Sequence, residues 1–154
     1  MAEFIDAAPP PSAERIAWFE DYYEVRLPDD FKTFLGQRNG AKPSEDGLPD
    51  GRNERMVERF LPLLADPKAD PEHGWADMTV VITQLDERLL EDEDAVGVPL
   101  IPIAALAGGD FVCLDYRGGG PRVVIWDHEE SEEMAPVVTP VADSFSDLLG
   151  KLRP

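Results

Sequence analysis

The stretch from Pro99 to Glu129, PLIPIAALAGGDFVCLDYRGGGPRVVIWDHE, most constrains what this chain can become. It reads as three short strands separated by glycine turns. Leu100-Ile101-Pro102-Ile103 is apolar, but a proline cannot donate to a sheet ladder, which places this piece at a sheet edge or a strand end. From Phe111 to Tyr116, strand alternation puts Val112, Leu114 and Tyr116 on one face and Phe111, Cys113 and Asp115 on the other. Gly108-Gly109-Asp110 supplies the preceding turn, with Asp110 expected to bond within it. After Gly118-Gly119-Gly120-Pro121, the run Arg122 to Trp126 is rich in residues that fit a half-buried pleated surface. The expectation is an antiparallel meander with Trp126 in the core.

The flanking sequence reads as helices. Pro9-Pro10-Pro11 closes a leader of residues 1–11, either a frayed tail or a strap over the domain of residues 12–154. Ser12 can cap a helix through about Val25, with Glu14 complementing its dipole. Ile16, Phe19 and Tyr23 recur at helical spacing, and Trp18 and Tyr22 widen that apolar face. Pro28 suits the opening of a second helix with Phe31, Phe34 and Leu35 inside, and Asn39-Gly40 offers its left-handed stop. The two helices are expected to pack as a hairpin. Ala41 to Asn53 reads as a loop, Val57 to Leu64 as the first strand or a helical turn, and Pro67 to Trp75 as irregular. Asp77 can cap a helix through about Leu89 with Val80, Val81, Leu85 and Leu89 inside, yet Thr79 to Thr83 favours a strand by propensity. Pro136 to Thr139 offers a further short strand, and Val141 to Leu152 closes as a helix with Phe145, Leu148, Leu149 and Leu152 inside.

At 154 residues the chain suits one domain, and 43% hydrophobic residues suffice for its core. Lys+Arg 14 against Asp+Glu 32 leaves a formal net charge of -18. A polyanion repels phosphate backbones and anionic membranes, so direct nucleic-acid and membrane binding are disfavoured and a basic protein partner is favoured. Two acidic blocks are the candidate partner-binding residues: Glu91, Asp92, Glu93 and Asp94, and Glu129, Glu130, Glu132 and Glu133. Such blocks are ordinarily solvated faces and become functional where a basic partner docks. The N-terminus has acids where a signal peptide needs bases, and no run approaches a membrane span, so a cytoplasmic location is expected.

Chemistry is harder to find. Cys113, the single cysteine, sits in an apolar strand and reads as a buried, inert thiol. His73 lies in a proline-bearing loop and His128 beside Asp127 at a strand end. Asp115, Asp127 and His128 could cluster on adjacent strand ends, but no metalloprotease, nucleophile-elbow or phosphate-loop motif accompanies them, and turn and solvation roles explain all three. No catalytic, cofactor or metal residues are assigned.

The order of motifs resembles the SUKH superfamily, which includes bacterial immunity proteins that neutralise secreted toxins and the fungal cell-wall assembly regulator. The residues that carry the likeness are I-P-I-A at 101–104, the G-G-D turn, the strand ending L-D-Y, and V-V-I-W-D-H-E at 123–129. Upstream, Leu27-Pro28-Asp29-Asp30-Phe31 with Phe34-Leu35 and Asn39-Gly40 is similar to the family's L-P-x-D-F/Y-x-x-F-L…N-G helix, and Ser144-Phe145 with Leu148-Leu149 to its closing helix. The chain departs from the pattern at Pro43 to Arg55 and Pro67 to Gly74. The resemblance implies an α+β domain, a mainly antiparallel sheet with an N-terminal helical hairpin and a closing C-terminal helix, and favours a helix over 77–89. It also implies a non-enzymatic immunity protein that binds a cognate secreted toxin, such as a nuclease; the alternative is an intracellular regulatory or scaffold module that binds an endogenous protein.

Overall fold

The computed structural model describes residues 3–51, 53–91 and 97–154. Its first strands are minor: β1 (Phe4–Ile5) pairs antiparallel with β2 (Lys42–Pro43). The main sheet runs in chain order through β3 (Gly47–Asp50), β4 (Asn53–Phe60), β5 (Leu100–Leu106), β6 (Phe111–Asp115), β7 (Arg122–Trp126) and β8 (Val138–Ala142), every neighbouring pair antiparallel. The expected meander is therefore its centre. Strand β5 is not at an edge, because β4 and β6 flank it. Pro102 is accommodated otherwise: the β4 ladder ends at Phe60 opposite Ala104, and the register against β6 shifts between Pro102 and Ala104. The missing N–H thus falls past the end of one ladder and beside an irregularity in the other.

Helices cover both faces. Register places Ala105, Phe111, Trp126 and Val138 together on one face, and Phe60, Ala104, Val112 and Ile125 on the other. Helix α1 (Ala13–Tyr23) is capped by Ser12, whose Oγ accepts from Arg15 N at 3.0 Å. It buries Phe19 and Tyr23, but Trp18 is 41% and Tyr22 65% exposed. These two rings stack on each other rather than widening the core face. Helix α2 (Asp29–Arg38) follows a short connection in which Glu20 Oε2 accepts from Leu27 N at 2.7 Å and pairs with Lys32 at 3.0 Å. Phe34 of α2 meets Phe60 and Phe145, the latter in helix α4 (Phe145–Lys151). On the opposite face lie helix α3 (Met78–Leu85) and the 3-10 turn Asp86–Leu89, whose Arg88 guanidinium stands 4.9 Å over the Trp126 ring.

Several expectations change at residues 41–64. Strands β2 and β3 occupy the predicted loop, and β4 starts at Asn53 and stops at Phe60. Leu61 to Leu64 stay buried without forming a strand. Pro62 has no N–H, Leu63 N donates to Asn39 Oδ1 at 2.8 Å, and Leu64 N donates to Asp77 Oδ2 at 2.8 Å. Side chains thus satisfy this backbone in place of a neighbouring strand. Gly40, with φ +71, precedes this segment so closely that a Cβ there would lie 2.6 Å from Pro62. Only glycine fits such a left-handed, crowded position.

Asp77 also decides the helix-or-strand question over 77–89 in favour of helix. Fully buried, it accepts from Thr79 N at 2.8 Å and Val80 N at 3.4 Å while holding Leu64. This cap and the burial of Met78, Val81 and Ile82 outweigh the β-branched preference, which is worth only tenths of a kcal/mol per residue. The α-helix ends at Leu85, where Asp86 has φ +45. Helix α4 likewise starts at Phe145 under a Ser144 cap, because Val141 and Ala142 complete β8. From residue 3 onward, the leader is the strap of the two alternatives: Ala8 N donates to Asn39 O at 2.8 Å, Asn39 Nδ2 donates to Pro9 O at 2.7 Å, and Phe4 packs on Phe34.

Asp77→Ala is expected to cost clearly more than the ~1 kcal/mol of an ordinary cap, because it also orphans the buried Leu64 N–H. Ser12→Ala, which loses one exposed cap bond, should cost about that ordinary amount. Denaturant titration of both variants checks the order; equal costs would deny Asp77 its second role.

Candidate partner-binding surface

Because strand order follows chain order, successive connections alternate between the two ends of the sheet. The β3–β4 turn, the β5–β6 turn and the β7–β8 connection all fall at one end, with Phe111 and Trp126. The β6–β7 turn falls at the other, with Asp115 and Arg122. The two acidic blocks are divided by this rule. Glu129, Glu130, Glu132 and Glu133 lie exposed on the β7–β8 connection. Glu91 sits at the opposite end, ion-paired to Arg117, while Asp92, Glu93 and Asp94 are outside the described residues.

The β7–β8 connection is internally built. Asp127 Oδ1 accepts from Glu129 N and Glu130 N, each at 2.9 Å. Glu132 and Ala135 exchange backbone bonds at 3.2 and 3.0 Å, and Ser131 Oγ accepts from Val137 N at 2.8 Å. The helical layer anchors it: Met134 N donates to Glu87 O, and Arg88 donates to Ser131 O and His128 O. The four glutamates therefore project from a backbone whose position is already fixed.

Asp110 ties this loop to its neighbours. One oxygen accepts from His128 N at 2.9 Å and faces His128 Nδ1 at 2.5 Å, and the other pairs with Arg55 of β4 at 2.5 Å. The expected bond within the glycine turn is thus replaced by two bonds across the sheet end. Gly109, with φ +103, lets the turn come within contact distance of the His128 ring. Burial pushes the Asp110 carboxyl upward, but the bonds from His128 and the Arg55 guanidinium outweigh it and hold the group below its usual range. Asp115 is not with Asp127 and His128, since it occupies the far end of β6. There it is buried and bound by Arg117 at 2.9 Å and Arg122 at 3.2 Å; those partners outweigh its burial and lower its pKa as well.

Asp110, Asp127 and His128 do offer ligand atoms within 4.8 Å of one another, as do Asp6, Glu72 and His73. In the first group Asp110 is already committed to Arg55 and His128, and Asp127 Oδ1 to two backbone N–H groups. In the second, the His73 ring nitrogens face Asp70 and Asp6 at 3.2 Å each, and Asp6 also pairs with Arg59. Both arrangements pin loops. The Cys113 thiol is fully buried, which pushes its pKa far above the usual range. Trp126 is fully buried, with Nε1 donating to Arg88 O at 3.1 Å. Sequence reasoning missed Arg55, just past the expected loop, Glu58, within the expected strand, and Trp75, which is 59% exposed in the 3-10 turn Gly74–Ala76.

The acid limb of stability should report the Asp110 bonds. A carboxyl whose pKa is lowered by folding stabilises above its unfolded value near 4 and loses that contribution as pH falls below it. Asp110→Asn should therefore melt below the parent protein at pH 7, with the gap closing below about pH 4. Thermal melts from acid to neutral pH check this; a gap independent of pH would mean that the charge of Asp110 contributes nothing.

Comparison with known proteins completes the assignment. The chain is 28% identical to the SPbeta prophage-derived uncharacterized protein YokK of Bacillus subtilis (strain 168), over 162 aligned positions that cover 99% of this chain and 82% of that protein. The sequence profile of the SMI1 / KNR4 family (SUKH-1) matches residues 10–151, from the end of the strap to the last turn of α4. With the capped helices, the meander and the closing helix all inside that span, this chain belongs to the SMI1 / KNR4 (SUKH-1) family, whose members are generally non-enzymatic immunity proteins or regulators.

Proposed function

We propose that this protein is a non-enzymatic immunity protein that binds a cognate secreted toxin of basic character and blocks its action by direct contact. The observation that carries the reading is the folded acidic turn, four exposed carboxylates on a backbone already bonded to Arg88, Asp127 and Glu87. A partner docking there would order little additional chain, so more of the contact energy would remain as affinity. Basic clefts are what nucleic-acid-cleaving toxins need to hold phosphates, and a row of carboxylates can occupy such a cleft in the same way. The paired Asp110 and His128 serve as struts in this reading, and Glu91, already neutralised by Arg117, contributes less than Glu129 to Glu133. The protein would act in the cytoplasm, and no helix among the described residues is long and apolar enough to cross a membrane.

Co-expression with the product of the adjacent open reading frame tests this: growth rescue and co-purification are expected. Reversing Glu129, Glu130, Glu132 and Glu133 to lysine should slow association by roughly ten- to a hundredfold at low salt, and the parent rate should fall with added salt. Reversing Asp66 and Asp70 should matter less. A partner whose association ignores both salt and the four reversals would leave the acidity to solubility alone.

A further inference from the structure

Beside the acidic turn, at the same end of the sheet, an apolar cleft of about 180 Å³ opens between α3 and the strands. Its floor is Leu61, Ala105 and Phe111, its wall Val81, and Trp75 stands at its mouth. Two acids edge it. Asp110 joins it to the His128 loop, and Glu58 is the residue where the β4 register slips between Val57 and Arg59. A register slip of this kind re-aims a side chain, and here it leaves Glu58 exposed on the rim. Sites for metabolites or cofactors usually enclose roughly 300–1,000 Å³, whereas an apolar cavity of about 150 Å³ accepts one benzene-sized group. The cleft therefore has room for a single large side chain.

We infer that this cleft seats one leucine- or phenylalanine-sized side chain from a basic segment of the protein partner, with flanking lysines or arginines against Glu58 and the Glu129 to Glu133 turn. Charge complementarity selects the segment. A net charge of -18 repels an acidic one, and Glu58 stands exposed at the rim of the cleft with the four glutamates of the neighbouring turn beside it. The apolar floor and the aromatic at the mouth then provide the desolvated pocket in which an anchor residue concentrates binding energy. The inference deepens the immunity reading and takes from it the basic character of the partner. The anchor pocket itself is a property of this cleft.

Two arms test it. In the first, the protein is titrated with acetyl-Lys-Lys-Leu-Lys-Lys-amide, with the same peptide carrying serine for leucine, and with acetyl-Glu-Glu-Leu-Glu-Glu-amide, followed by amide and indole NMR shifts. The leucine-containing basic peptide should shift the Trp75 indole, Gly109 and Phe111, and bind roughly tenfold more tightly than the serine peptide. Trp75→Ala and Glu58→Lys, both at exposed positions, should each weaken it. Equal binding of the serine or the acidic peptide, or no shift at the cleft with any peptide, would overturn the inference. In the second arm, the adjacent gene product is bound to the same variants, and dissociation should quicken by roughly tenfold. A partner that binds and dissociates from both variants as it does from the parent would refute the cleft and leave the immunity reading standing. Peptide shifts at the cleft with no binding of the adjacent gene product would sustain the cleft and refute that reading.

Discussion

The contact between Arg88 and Trp126 holds the helical layer of α3 and the central sheet together. The indole is fully buried and its N–H donates to the Arg88 carbonyl, while the Arg88 guanidinium lies over the ring and donates to the carbonyls of His128 and Ser131. One residue thereby satisfies a buried donor, closes the helical layer on the sheet and fixes the acidic turn. The indole left alone would cost about 1–3 kcal/mol as an unsatisfied buried group. The guanidinium also sets a positive charge beneath a loop that carries four glutamates, which offsets part of their mutual repulsion. The exposed carboxylates thus depend on the core for their position.

The same economy governs the other cations. With 14 lysines and arginines against 32 acids, the placement of each positive charge decides where negative potential emerges. Arg55 is drawn to Asp50 and Asp110, Arg59 to Asp6 and the Gly40 carbonyl, and Arg117 and Arg122 to Asp115. These pairs hold turns and the strap, and being partly buried they matter more than the exposed Arg153–Glu54 or Lys151–Asp147 pairs, which contribute little in water. Among the described residues no side-chain ion pair appears at Glu130, Glu132 or Glu133, and Glu129 approaches only His128, at 3.9 Å. At the acidic turn the nearby cation, Arg88, is spent on backbone carbonyls rather than on the glutamate side chains.

Local signals made much of the fold legible. Ser12 marks a helix start, Gly40 a helix stop, and the alternation from Phe111 to Trp126 two central strands, because each depends on residues a few positions apart. The failures have one physical origin. Pro102 sits in mid-sheet because the β4 ladder stops short of it, and Asp110 bonds Arg55 and His128 instead of its own turn. Each is decided by a partner 18 or more positions away, which leaves no periodicity behind. The cleft was invisible for the same reason: Glu58, Trp75, Val81 and Phe111 come from four segments. The acidic turn, by contrast, was readable as a charge run, although nothing in the run revealed that Arg88 would hold it or that Glu91 would fall at the opposite end.

The parity of the meander explains why the two features adjoin. In a sheet whose strands follow chain order, every second connection lies at the same end, so the β3–β4, β5–β6 and β7–β8 connections meet without any long-range crossover. Asp110, in the middle one, needs only its two oxygens to reach Arg55 near the start of β4 and His128 in the β7–β8 connection. The core below is closed by Phe60, Val112, Ile125 and Trp126, none of which contributes to the exposed rim. Residues of the β7–β8 connection between Asp127 and Val137 can therefore change in sequence with little effect on sheet packing, provided that Asp127, Ser131 and the Arg88 contacts persist. That separation gives one scaffold an acidic edge free to vary beside a fixed apolar cleft; under the proposed function, the edge would govern how fast a partner arrives and the cleft how long it stays.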